Sequence, residues 1–172
     1  QEGDIQSAQD NLQTLFALKS DSVFWLLSGR LLEAEINNDL KLALQTIQKL
    51  TDAFPQRSKL LAKRGEIYEW ANDYELAIAD YNQATELDPN NAQLWFQLAR
   101  LKIISGKTQS AIDNELTRAL VLFRKNKDQA GEGLVLNAFG VAYIRLAEYA
   151  TAEKYLKDSL IIFDSQKYPL ER

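Results

Sequence analysis

The 172-residue chain contains no cysteine, no histidine and no methionine, and only three prolines and seven glycines. Without cysteine or histidine there is no thiol nucleophile, no Ser-His triad, no zinc site of the usual nitrogen and sulfur kind, and no imidazole to change charge near neutrality. The glycines form neither a phosphate-cradling loop nor a nucleophile elbow, and the carboxylates show no EF-hand spacing. No apolar run approaches the roughly 18 residues of a membrane span, and Gln1 to Asp10 lacks both a charged region and an apolar stretch of the secretory type. This argues against membrane insertion, and no targeting signal is visible. Lack of cysteine fits the cytoplasm and the periplasm equally, so the compartment stays open. The formal net charge of −4 is opposite to the basic footprint that phosphate backbones select, which disfavours nucleic acid as a main partner. The chain begins at Gln1 without an initiating methionine, so it reads as a processed form or as a segment of a longer protein.

What the sequence does contain is repetition. Prolines stand only at 55, 89 and 169, and the long intervals between them leave room for helices. From Ser22 to Glu35 the apolar residues Val23, Trp25, Leu26, Leu31, Leu32 and Ala34 follow helical spacing, until Asn37-Asn38-Asp39 breaks the run. A second run, Leu40, Ala43, Leu44, Ile47, Leu50 and Phe54, ends at Pro55. The same design recurs with Leu60, Leu61, Ile67 and Tyr68, a break at Asn72-Asp73, then Leu76, Ala77, Tyr81, Ala84 and Leu87 before Asp88-Pro89. Pro55 and Pro89 stand one interval apart, Gly29 and Gly65 nearly the same interval, and Trp25 and Trp95 about twice it. The interval matches the roughly 34-residue period of helix–turn–helix arrays, in which stacked hairpins bury apolar faces that none of them buries alone.

At these residues the chain resembles the tetratricopeptide repeat (TPR) family. That family places a bulky residue at the fourth position of each repeat, a small one at the eighth and an aromatic at the eleventh. Ala follows at the twentieth, a bulky or aromatic residue at the twenty-fourth, Ala at the twenty-seventh and Pro at the thirty-second. The segment from Ser58 answers with Leu61, Gly65, Tyr68, Ala77, Tyr81, Ala84 and Pro89. From Ser22 the match is Trp25, Gly29, Leu32, Ala43, Ile47, Leu50 and Pro55, at the expense of two extra positions around Asn37-Asp39, read as a longer turn. From Ala92 it is Trp95, Leu98, Ala99 and Ala111, with Gly106 at the turn, before the pattern slips by one position to Leu116 and Ala119 and runs on through Phe123 without a closing proline. From Gly133, after a wider interval, it is Leu136, Phe139, Gly140, Tyr143, Tyr149, Ala152, Leu156 and Leu160. That wider spacing resembles a longer variant of the family.

The resemblance implies an all-α, right-handed superhelix, an α–α solenoid of about four hairpins preceded by one helix. Residues 1–20 read as the second helix of a preceding half-repeat, 21–57 as the first repeat, 58–91 as the second, 92–132 as the third with its extended second helix, 133–164 as the fourth, and 165–172 as a polar tail. Together they read as one continuous domain. On this register Trp25, Trp95, Tyr68, Tyr81 and Tyr143 take core positions.

In this family the first helices of successive hairpins line a concave groove. Carried onto this sequence, the first repeat supplies Leu26 and Arg30, the second Lys59, Glu66 and Trp70, the third Phe96 and Arg100, and the fourth Asn137, Val141 and Arg145. Aromatic and Arg residues often dominate interface energies, so a peptide with apolar anchors and some acidic groups is the complementary partner. The carboxylate clamp by which some TPR proteins grip chaperone C-termini is not matched. Its five positions hold Leu26, Arg30, Lys63, Gln93 and Gln97 here. Acid pairs such as Glu66 with Glu69 are ordinary on a helix surface, and general acid–base work needs a pocket that separates their pKa values. The reading is therefore non-enzymatic, with no cofactor and no metal: a module that binds a partner protein or peptide as a scaffold or adaptor. Two alternatives remain open, a sensory or regulatory segment of a larger bacterial signalling protein or transcription regulator, and a structural spacer or self-assembly unit. The sequence leaves the oligomeric state undetermined.

Overall fold

The computed structural model describes residues 21–167, with side chains to residue 164. The half-repeat expected over 1–20 and the tail beyond 167 lie outside the described residues. The chain divides into two compact units, residues 1–55 and 56–172. The first contains α1 (residues 21–36) and α2 (Leu40–Ala53). The second contains α3 (Ser58–Trp70), α4 (Tyr74–Leu87), α5 (Ala92–Ile104), α6 (residues 108–125), α7 (Gln129–Arg145) and α8 (Tyr149–Lys167). Among the described residues the fold is all-α, a solenoid of paired helices.

One turn closes each hairpin. Between α3 and α4, the amides of Ala71, Asn72 and Asp73 donate to the carbonyls of Ile67, Glu69 and Tyr68. The same three bonds stand one repeat earlier at Asn37, Asn38 and Asp39, and one repeat later at Ser105, Gly106 and Lys107. They return at Leu146, Ala147 and Glu148, after the wider interval expected for the last repeat, and the same bonds, with Lys127 left-handed at φ 57°, also join α6 to α7 at Asn126, Lys127 and Asp128. The middle residue is left-handed each time, with φ of 55° at Asn38, 60° at Asn72, 81° at Gly106 and 60° at Ala147. Asn and Gly accept this conformation readily, whereas Ala has no polar side chain to compensate. Asp39 and Asp73 then cap the next helix, accepting from the amides of Leu42 and Leu76 at 2.9 and 3.4 Å. At the other end of α2 and α4, Phe54 and Asp88 adopt φ of −135° ahead of Pro55 and Pro89, as the residue before proline is driven to do.

The identical turns correct the reading of the first repeat. Nothing is inserted around Asn37-Asp39. Counting back from Asp39 as from Asp73, the fourth, eighth and eleventh positions fall on Leu27, Leu31 and Ala34, and Leu31 and Ala34 are buried while Leu27 is half-buried. Trp25, expected in the core, is 71% exposed. A Cβ added to Gly29 would meet nothing within 4 Å, so no helix among the described residues approaches closely there. Sequence and structure diverge because Trp25 and Gly29 imitate the residue types of the pattern two positions too early. In the second and fourth repeats the eighth-position glycines are where expected, since a Cβ on Gly65 would stand 2.9 Å from the Tyr81 ring and one on Gly140 2.5 Å from Leu156.

Within the second unit the core is continuous across repeats. Leu61, Ala77, Tyr81, Ala84, Leu94 and Leu98 form one cluster between α3, α4 and α5. Ala99, Ala111, Leu116, Ala119, Phe123, Val135 and Phe139 form the next, between α5, α6 and α7. Trp95 packs against both and donates from Nε1 to the Pro89 carbonyl at 3.0 Å. The slip by one position in the third repeat is a turn of π-helix, Ala111–Leu116, inside α6. It absorbs one extra residue, brings Leu116 and Ala119 inward, and lets the Thr117 hydroxyl donate to the Ile112 carbonyl at 2.8 Å. Ala99 and Leu116, both fully buried, stand where the second repeat has Gly65 and Tyr81, and a charged pair is buried beside them: Lys102 Nζ lies 2.6 Å from Glu115 Oε1, with the side chains only 16% and 7% exposed. Glu115 Oε2 has no hydrogen-bond partner.

Relieving the left-handed alanine by Ala147→Gly should raise stability by about 1 kcal/mol, read as a higher thermal midpoint by circular dichroism. Lys102→Met should cost about 3–5 kcal/mol because it strands a buried carboxylate, whereas Lys102→Met with Glu115→Leu should recover most of that loss. Equal losses in the single and double variants would mean that the two residues are not acting as a pair.

Candidate functional site

Side chains three, four and seven positions apart share one helix face. On α5 that spacing joins Phe96, Arg100, Ile103 and Ile104, and on α7 it joins Leu134, Asn137, Ala138, Val141 and Arg145. The two faces enclose an open groove of about 220 Å³. The walls are largely apolar yet open to water, with Ile104, Leu134 and Val141 exposed by 40%, 43% and 41%. Arg100, Arg145 and Asn137 are the polar members, and the lining contains no acidic residue.

The two guanidinium groups differ. Arg100 is ion-paired through Nη2 with Glu69 of α3, and its Nε donates to Gln97 Oε1 at 3.0 Å. Glu69 also accepts from the Tyr81 hydroxyl at 3.1 Å, so it ties α3, α4 and α5 together. Burial of Tyr81 pushes its hydroxyl pKa well above the ordinary tyrosine range, and the neighbouring Glu69 carboxylate pushes it further. Arg145 makes no ion pair among the described residues.

Five of the residues expected in a concave groove, Phe96, Arg100, Asn137, Val141 and Arg145, thus line one cavity. Lys59 and Glu66 line another of about 370 Å³ between α3 and α5, together with Lys63, Gln93 and Gln97. There Lys63 neutralises Glu66 at 3.0 Å. Trp70 is half-buried at the end of α3 and lines neither cavity. Leu26 and Arg30 are exposed on α1 in the other unit, and the corrected register removes them from the positions that gave them a groove role. The same register puts half-buried Ser28 and exposed Leu32 at those positions instead. Glu69 acquires its importance only in three dimensions. Its sequence signal is a separation of 31 residues from Arg100, which sets the two about one helical turn out of register on neighbouring first helices.

Repeated helical hairpins joined by one turn type, with an open groove along their first helices, define a protein–protein interaction scaffold. Residues 65–101 match the family model for the TPR repeat, and over that segment the chain is similar to the tetratricopeptide repeat family. It is 34% identical over 92 residues to the formate-dependent nitrite reductase complex subunit NrfG of Escherichia coli O157:H7, covering 46% of each chain. It spans less than half the length of the curated relatives it matches. Among solved structures it is similar to MamA of RS-1, with a TM-score of 0.71 at 15% identity, covering 87% of this chain and 78% of that one. It also resembles the TPR2B domain of yeast Sti1 in a pHsp70 complex, with a TM-score of 0.62 at 17% identity, covering 77% of this chain and 98% of that one. At these identities the likeness is one of fold, and the fold typically serves as an interaction module.

The Glu69–Tyr81 contact has a consequence at high pH. Because the folded-state pKa of Tyr81 lies above the unfolded value near 10, its contribution to stability is fully present below pH about 10 and is lost as pH rises beyond it. Thermal midpoints between about pH 9 and 12 should therefore fall more steeply for the native chain than for Tyr81→Phe. Parallel curves would exclude this coupling.

Proposed function

We propose that the chain is an adaptor which holds a segment of a partner protein in the α5–α7 groove. The observation that carries this reading is the exposure of Ile104, Leu134 and Val141 around one concave surface. Apolar side chains gathered in a concavity and rimmed by polar groups are what the desolvated centre of an interface needs. Arg100, Arg145 and Phe96 belong to the residue types that supply binding hot spots or aromatic contact area. The named relatives support the reading in kind, since one is a subunit of a complex and another was solved as a complex. The chaperone-tail clamp is not part of it, because the clamp's five positions are occupied here by residues of other types.

Site-directed photocrosslinking tests the reading. A benzophenone amino acid at Asn137, on the groove, should capture a discrete partner from cells of the source organism, whereas the same group at exposed Gln83 on α4 should not. Val141→Asp should abolish that crosslink while shifting the melting midpoint little, since surface substitutions usually change stability by about 0.5 kcal/mol or less. Capture from both positions, or a crosslink that survives Val141→Asp, would remove the groove from consideration.

A further inference from the structure

Resting on that reading of the groove, its charge arrangement narrows the chemistry of the segment it holds. Arg145 stands one helical turn beyond Val141 on the same face of α7, so its stem rises from the apolar wall and its guanidinium sits at the rim. It has no acidic partner among the described residues, and no Asp or Glu lines the cavity. Arg100 on the α5 side is already occupied by the carboxylate of Glu69, which the Tyr81 hydroxyl holds in place. A guanidinium recognises a carboxylate through paired hydrogen bonds that an ammonium group cannot reproduce. The volume of about 220 Å³ suits a single large apolar side chain, being smaller than the roughly 300–1,000 Å³ of drug-sized ligand sites.

We propose that the groove takes a partner segment presenting one large apolar side chain beside one carboxylate, that Arg145 receives the carboxylate, and that Glu69 withholds Arg100 from a second. Glu69 acts as an internal substitute for a ligand acid. The groove therefore distinguishes partners with a single acidic residue next to the anchor from partners whose recognition depends on two.

The test is a nuclear magnetic resonance titration of the ¹⁵N-labelled chain with two capped dipeptides that differ only in charge, acetyl-Phe-Glu-amide and acetyl-Phe-Gln-amide. Both should shift the amides of Ile104, Ala138 and Val141, with the acidic peptide binding at least threefold tighter at low salt. Arg145→Gln should erase that preference. Arg100→Gln should leave the preference intact, and Glu69→Gln, with Arg100 released, should enlarge it. Equal affinity of the two peptides for the native chain, or a preference that survives Arg145→Gln, overturns the role of Arg145. A preference lost in Arg100→Gln, or unchanged in Glu69→Gln, overturns that of Glu69. If neither peptide shifts the groove amides, the groove reading itself fails along with the inference.

Discussion

The turn that closes each hairpin is the constraint on which the rest of this structure depends. Three backbone hydrogen bonds and one left-handed residue recur at Asn38, Asn72, Gly106 and Ala147. They fix how the second helix of each pair leaves the first, and hence which face each helix turns to its partner. A solenoid gains stability only when neighbouring units present matching faces, so a turn of constant geometry is what makes the apolar spacing of each helix useful. The left-handed conformation is retained even at Ala147, where the residue itself does not favour it. There the packing of α7 against α8 through Gly140, Leu156, Phe139 and Tyr155 imposes the turn.

Within the second unit, the repeats differ in what fills the gap between paired helices. The second repeat sets a glycine against a tyrosine ring, Gly65 against Tyr81, and the fourth sets Gly140 against Leu156. The third sets Ala99 and Leu116 in one buried cluster, with a turn of π-helix in α6 and the Lys102–Glu115 pair buried alongside. A buried ion pair is weak evidence of stabilisation, since desolvation offsets much of the attraction. Its place in the fold is more telling: Lys102 is borne by α5, the same helix that supplies one wall of the groove. The Glu69 link to Arg100 and Tyr81 fastens that helix from the other side. The groove wall is thus held by polar contacts to its own partner helix α6 and to the preceding hairpin, which suits a surface that must keep its shape while exposing apolar side chains to water.

Much of this was legible in the residues. The helices, their order, the repeat period and the wider last interval follow from apolar spacing punctuated by Asn, Asp, Gly and Pro, because those signals act close to where they stand in the chain. The pairing of Phe96 and Arg100 with Asn137, Val141 and Arg145 was legible too, since periodicity converts a repeat position into a shared face. In the first repeat, local residue type and helical phase disagree, and residue type misleads. Trp25 and Gly29 look like core and contact residues, but only the phase of α1 relative to its turn decides which side of the helix is buried, and it selects Leu27, Leu31 and Ala34.

The sequence by itself determined the class of fold, the period and the residues available to a groove, because helix formation and hairpin closure are local. Tertiary structure alone decided which of two arginines is ion-paired among the described residues. Glu69 and Arg100 lie 31 residues apart and meet only when α3 and α5 pack side by side, and Tyr81 reaches Glu69 from a third helix. An ion pair is a matter of a few ångströms between side chains on different elements, a distance that no spacing along the chain encodes until the hairpins are stacked.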